Sequence, residues 1–197
     1  AQHLFTRTDM LDKAGVSNIP GTYEEVIAAA EAIRSAGLME YPVALNTKAG
    51  WNLGEEFVNM YMGTGADLFK AGTAEVSVNN DHGVATLNML KSLVAYSNPD
   101  FLTYDSNATQ AEWEAGNLAL ATMWGSRGSA VLDGEGSVDG VSSNTTLSAA
   151  PKWGNGARPA STLWWDGIGI STNVSDEDAE ATFIALMNGI SSDMVKA

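Results

Sequence analysis

Short apolar runs alternate along this chain with amphipathic stretches that open on capping residues and close on glycine, and this alternation confines it to the α/β class. Five runs bounded by turn residues read as strands: Leu4 to Thr8, Pro42 to Asn46, Leu118 to Met123, Thr145 to Ala149 and Leu163 to Ser171. The sharpest helix signal is Thr22-Tyr23-Glu24-Glu25, a capping box in which the Thr22 hydroxyl and the Glu25 carboxylate each satisfy a backbone N–H at the helix start. Val26, Ile27, Ala30 and Ile33 then share one face, and Gly37 supplies a left-handed stop. A second helix opens at Trp51 and closes at Gly63-Thr64-Gly65. A third, from Asn79 to Tyr96, takes its cap from Asn80 or Asp81 and is expected to bury Val84, Leu87, Leu90 and Val94, with Pro99 beyond it. Ser106 to Ala115 forms a short helix ended by Gly116, and Ser175 caps a last one that runs to Asn188.

Composition narrows the function classes. A chain of 197 residues, 45% hydrophobic and 17% charged, buries a core of its own. A formal charge of −14 with no basic run repels nucleic acid and anionic membranes alike. Cysteine is absent, which removes disulfides, zinc–thiolate sites and thiol nucleophiles. No apolar run reaches the about 20 residues of a membrane span. The chain opens directly on folded-type sequence at Ala1-Gln2-His3 and stops just after a helical pattern, so both ends read as cut and any export signal is expected upstream.

Catalytic constellations fare poorly. The two histidines, His3 and His82, lie at the terminus and in a first helical turn, and no G-x-S-x-G elbow surrounds a serine. Asp166 is the acid in a cleft-like context, but no second carboxylate is nominated to pair with it as a glycosidase requires. Glu112 and Glu114 beside Trp113 read as a solvated helix face. The loop from Asp133 to Asn144 spaces its oxygens as calcium loops do, yet has Val138 where glycine belongs and Asn144 in place of the final carboxylate. Gly63-Thr64-Gly65 ends a helix and Gly167-Ile168-Gly169 lies in a strand pattern, so neither cradles a phosphate. No catalytic residue, metal or cofactor is therefore expected.

The tryptophans carry the functional signal. Of six, Trp51, Trp124, Trp164 and Trp165 fall at junctions between elements, beside Asn52, Gly125-Ser126-Arg127, and Asp166-Gly167. One such aromatic simply closes a core. A set of them next to Asn, Arg and Asp makes a sugar platform, in which indoles stack on the apolar face of a pyranose and the polar neighbours bond its hydroxyls.

Several segments, in order, resemble the carbohydrate-binding solute-binding proteins of bacterial ABC importers, the group that includes maltose-binding protein. Phe5-Thr6-Arg7-Thr8-Asp9-Met10-Leu11-Asp12-Lys13-Ala14-Gly15 followed by Pro20-Gly21-Thr22-Tyr23-Glu24-Glu25 is similar to that family's "K-D-L-F-x-K-A-G, then P-x-T-W/Y-E-E" segment. Gly63-Thr64-Gly65-Ala66-Asp67, Val78-Asn79-Asn80 through Leu93, Trp113-Glu114-Ala115-Gly116 through Met123, and Ala150-Pro151 continue the register to Gly167-Ile168-Gly169-Ile170-Ser171.

The resemblance implies a periplasmic-binding-protein-like lobe, a central mixed sheet flanked by helices, within an incomplete two-lobe fold. On this register residues 1–160 form the C-terminal lobe, and residues 161–197 supply a crossing strand and helix that belong to the N-terminal lobe. The ligand-binding residues it implies are Trp51, Asn52, Trp124, Arg127, Trp164, Trp165, Asp166 and Gly167, with Arg127 standing where an aromatic is common. The implied function is the non-catalytic, periplasmic or membrane-tethered component of an importer, which delivers a carbohydrate to ABC permease transmembrane subunits. Membrane association is then only indirect, and a truncated chain is expected to self-associate through its unpartnered tail. The alternative is a carbohydrate-active enzyme, a glycosidase, or its sugar-binding module.

Overall fold

A computed structural model describes residues 1–154, 159 and 161–195. The chain divides into two compact units, Ala1–Leu163 and Trp164–Ala197. The first is built on a mixed four-stranded sheet of β1 (Gln2–Arg7), β2 (Val43–Ala44), β3 (Leu120–Trp124) and β4 (Thr145–Ala149), in the order β2-β3-β1-β4. β1 runs antiparallel to both neighbours, with Leu4 opposite Thr122 on β3 and Ser148 on β4, while β2 pairs with β3 in parallel.

Alternation along these strands feeds two cores. Leu4, Val43 and Leu120 point to one face, under α1 (Thr8–Lys13), α2 (Tyr23–Ser35), α3 (Trp51–Gly63) and α4 (Asp81–Val94). Phe5, Ala44, Ala121 and Met123 point to the other, where α5 (Ser106–Glu114) and α6 (Gly128–Asp133) supply Trp113 and Val131. A strand covered on both sides tolerates few exposed positions, and β1 accordingly has five buried residues of six.

The helix punctuation follows the sequence closely. Thr22 Oγ1 accepts from Glu25 N at 3.1 Å, and Glu25 Oε2 accepts from Thr22 N at 3.1 Å, which completes the capping box of α2. Gly37 takes φ +70 just beyond it.

Two expectations are corrected. Val84 and Leu87 are more than half exposed, and α4 instead buries Gly83, Thr86, Leu90 and Leu93. Gly83 sets that rotation: a Cβ there would lie 2.1 Å from the Val78 carbonyl oxygen, so the backbone packs where a side chain cannot fit. Thr86 is then buried without penalty because its hydroxyl bonds the His82 carbonyl at 2.8 Å. Gly83→Ala should therefore destabilise the chain by about 1–3 kcal/mol, measured by chemical denaturation, far outside the small gain Ala brings to an open helix site. The second correction concerns Leu163 to Ser171, which joins no sheet. A period-2 pattern forms a strand only where a neighbouring edge accepts its hydrogen bonds, and the described elements of the second unit are helices, α7 (Asp176–Gly189) and α8 (Ser192–Val195). Ser175 caps α7 by accepting from Asp178 N at 3.1 Å, as its sequence anticipates.

Candidate functional site

Gly50 starts the site. Its φ of +113 and ψ of −142 are open to glycine alone, and they turn the chain so that Trp51 becomes the first residue of α3. Trp51 is 58% exposed, a large value for an indole at the start of a packed helix. Trp124, the last residue of β3, stands beside it, with ring centroids 6.3 Å apart and planes inclined at 35°. The next residue explains how Trp124 reaches this position. Gly125 N donates to the Ala1 carbonyl at 2.9 Å, and a Cβ at Gly125 would meet the His3 ring at 3.0 Å, so glycine lets the strand end close against β1.

The other proposed positions fall differently. Asn52 is buried, at 6% exposure, and its Oδ1 has no hydrogen-bond partner among the described residues. Arg127 lies in the turn between β3 and α6, where its Nη1 donates to Gln110 Oε1 of α5 at 3.1 Å. Trp164, Trp165, Asp166 and Gly167 belong to the second unit, and all four are exposed. There the Trp165 indole folds over Gly167, where a Cβ would come within 3.0 Å of the ring. Of the eight candidate residues, the first unit thus brings Trp51 and Trp124 into contact.

Sequence reasoning missed the polar cluster beneath α3. Glu56 is buried, and its Oε1 accepts from Gln2 Nε2 at 2.9 Å, from Asn46 N at 3.1 Å and from Asn46 Nδ2 at 3.2 Å. Its Oε2 faces Thr122 Oγ1 at 3.4 Å. Burial pushes the Glu56 carboxyl up to about 7 against the opposing pull of these donors. One signal was available: Asn52, Glu56 and Asn59 recur at helical spacing on the face of α3 that also carries Met60, and all four are buried. Polar residues on a buried stripe call for partners.

Among the described residues no three His, Asp or Glu side chains gather as a metal site requires. Nor is any described helix long and apolar enough to cross a membrane.

A sequence model of the bacterial extracellular solute-binding protein family matches residues 1–189. The chain belongs to that family. A probable ABC transporter-binding protein of Deinococcus radiodurans is 22% identical over 191 residues, which cover 94% of this chain and 44% of the relative. Among solved structures, maltose-bound MalE3 of T. maritima superposes with a TM-score of 0.82 at 20% identity, over 98% of this chain and 49% of that one. A ribitol complex of an ABC transporter solute-binding protein from Agrobacterium radiobacter gives 0.84 at 17% identity, over 99% and 48%. A laminaribiose-bound sugar transporter from Arthrobacter chlorophenolicus gives 0.72 at 20% identity, over 95% and 46%. The chain therefore spans about half the length of the relatives it matches, and it shares with the solved structures the fold of a periplasmic-binding-protein lobe.

Proposed function

We propose that this chain is part of the extracytoplasmic, periplasmic or membrane-tethered solute-binding component of an ABC importer, that it holds a mono- or oligosaccharide, and that it performs no catalysis. The observation that carries this reading is the Trp51–Trp124 pair, in which an indole more than half exposed lies tilted against a second at the mouth of a packed strand end. Two indoles so arranged offer apolar area to a pyranose face, which polar side chains alone cannot do. The solved structures of similar fold include complexes with maltose, ribitol and laminaribiose, which favours a carbohydrate over a peptide or polyamine. Trp164, Trp165, Asp166 and Gly167 are proposed as ligand-binding residues, with the Asp166 carboxylate bonding hydroxyls. Arg127 is proposed as an orienting donor once its bond to Gln110 is exchanged for one to ligand. In such a protein the ligand selects one conformation of a mobile receptor, and the permease reads that conformation.

Calorimetric titration of the chain with maltose, laminaribiose and ribitol tests the proposal. At least one should bind, and Trp51→Ala should weaken it roughly tenfold, about 1.4 kcal/mol, while leaving thermal stability nearly unchanged because the indole is exposed. Trp165→Ala and Asp166→Asn run in the same titration test the share of these residues. Binding of a peptide or polyamine with no response to any carbohydrate would overturn the sugar assignment. Release of reducing ends from an oligosaccharide by the purified chain would instead favour the glycosidase alternative.

A further inference from the structure

Residues 161–163 end the first unit without helix, strand or apolar anchor, since Leu163 is 85% exposed. What holds them is polar. Thr162 donates from its backbone N at 2.8 Å and from its hydroxyl at 2.7 Å to the one acceptor Asn59 Oδ1, and Gln2 N donates to Ser161 Oγ at 2.6 Å. Asn59 is itself buried and fixed, because its Nδ2 donates to Gln2 Oε1 at 2.8 Å, and Gln2 Nε2 in turn donates to Glu56 Oε1 at 2.9 Å.

The direction of this chain of amides is set at both ends, because the Glu56 carboxylate oxygen accepts and the Thr162 backbone N–H can only donate. A primary amide can face a neighbour with either its oxygen or its nitrogen. Glu56 Oε1 accepts three hydrogen bonds and offers no donor, so it demands the nitrogen of Gln2. That choice turns the Gln2 oxygen to Asn59, which demands the Asn59 nitrogen, and the Asn59 oxygen is left aimed at Thr162. Protonation of Glu56 on Oε2, the oxygen beside Thr122, leaves the sequence of donors unchanged.

We infer that Glu56, Gln2 and Asn59 form a directional latch that fastens residues 161–163, the last of the first unit, to β1 and α3. The latch couples α3 to a segment about a hundred residues away without Glu56 touching that segment.

Hydrogen exchange of the full chain, together with the rate of chymotryptic cleavage around Leu163 to Trp165, tests it. The Thr162 amide should be protected although it lies in no helix or strand. Asn59→Leu should raise its exchange rate at least tenfold and speed cleavage to match, while β1 and β3 amides stay within about twofold of the parent. Gln2→Met breaks the relay one step further back and should release Thr162 in the same way, although residue 2 makes no bond to Thr162. Glu56→Gln keeps an acceptor at the Oε1 position and should leave Thr162 protected. Glu56→Leu should release it, and if that variant does not fold, Gln2→Met carries the same test. A Thr162 amide that is unprotected in the parent, or that stays protected in Asn59→Leu or Gln2→Met with the sheet intact, would overturn the latch.

Discussion

Raising the pH from about 5 to about 8 should destabilise the chain by about 2–3 kcal/mol through the single residue Glu56, a loss of roughly 5–10 °C in melting temperature. The folded chain holds the Glu56 proton more tightly than the unfolded chain does, because burial raises its carboxyl from 4.5 to about 7. An acid shifted upward contributes stability that is fully present below pH 4.5, and that contribution is gone once the pH has risen through about 7. The titratable group across from it is Tyr23 on α2, whose hydroxyl is pushed up first by burial and then by the Glu56 charge, so Tyr23 keeps its proton throughout this window. Asp9 and Asp105 act in the opposite direction. Burial raises Asp9, but its bonds to Arg7 and Lys13 outweigh this and hold it low, and Asp105 is held low by Lys48 and by the backbone N–H of Ala108. Their contributions are present above the ordinary carboxylate range and fade only as the pH falls through their own lowered values. Stability should therefore peak on the mildly acidic side.

Glu56→Gln isolates the effect. The amide oxygen can accept from Gln2 and Asn46 as Oε1 does, and the amide nitrogen can donate to Thr122, so the cluster is kept while the titration is removed. The variant should be nearly flat between pH 5 and 8 and should exceed the parent at pH 8 by about 2 kcal/mol in chemical denaturation. Parallel curves for parent and variant would show that Glu56 does not titrate in this window.

This residue also marks where the sequence could be read and where it could not. Local chemistry was legible: the capping box at Thr22 and the glycine stops at Gly37 and Gly116 depend on neighbours a few residues apart, and the apolar runs of the four strands are visible in the sequence even though their partners are distant. The phase of α4 was not, because it depends on Gly83 meeting the Val78 carbonyl, and apolar periodicity alone favoured Val84 and Leu87. The stretch from Leu163 to Ser171 failed for a related reason, since pairing is a property of two segments and the pattern describes one. The indoles at Trp51 and Trp124 were found because aromatic residues at element ends are visible in one dimension. Glu56 was missed because its meaning lies in Gln2, Asn46 and Thr122, which are scattered over the chain and meet only in the fold.

Trp113→Ala should cost about 3–5 kcal/mol, the largest loss expected of any single truncation in the first unit. Trp113 is wholly buried and is the largest such side chain. Its ring meets Phe5 edge to face at 5.9 Å between centroids and 72° between planes, and its Nε1 donates to Thr145 Oγ1 at 3.1 Å. Removing it opens a cavity among Phe5, Leu118, Ala121 and Met123 and takes a hydrogen bond from the first residue of β4. Trp113→Phe keeps much of the ring and loses only the indole donor and part of the volume, so it should cost about half as much. The consequence for ligand is separable. Met123 rests on this cluster and the next residue, Trp124, faces the opposite side of β3, where Gln2 lies across from it in the β1 register. The cavity opens behind the strand, away from the Trp51–Trp124 pair, so the fraction of Trp113→Phe that remains folded should bind carbohydrate within about threefold of the parent. Denaturation curves measured beside calorimetric titration separate the two effects, and a loss of affinity as large as that of Trp51→Ala would mean that the position of Trp124 is set by the core on the far face of the sheet.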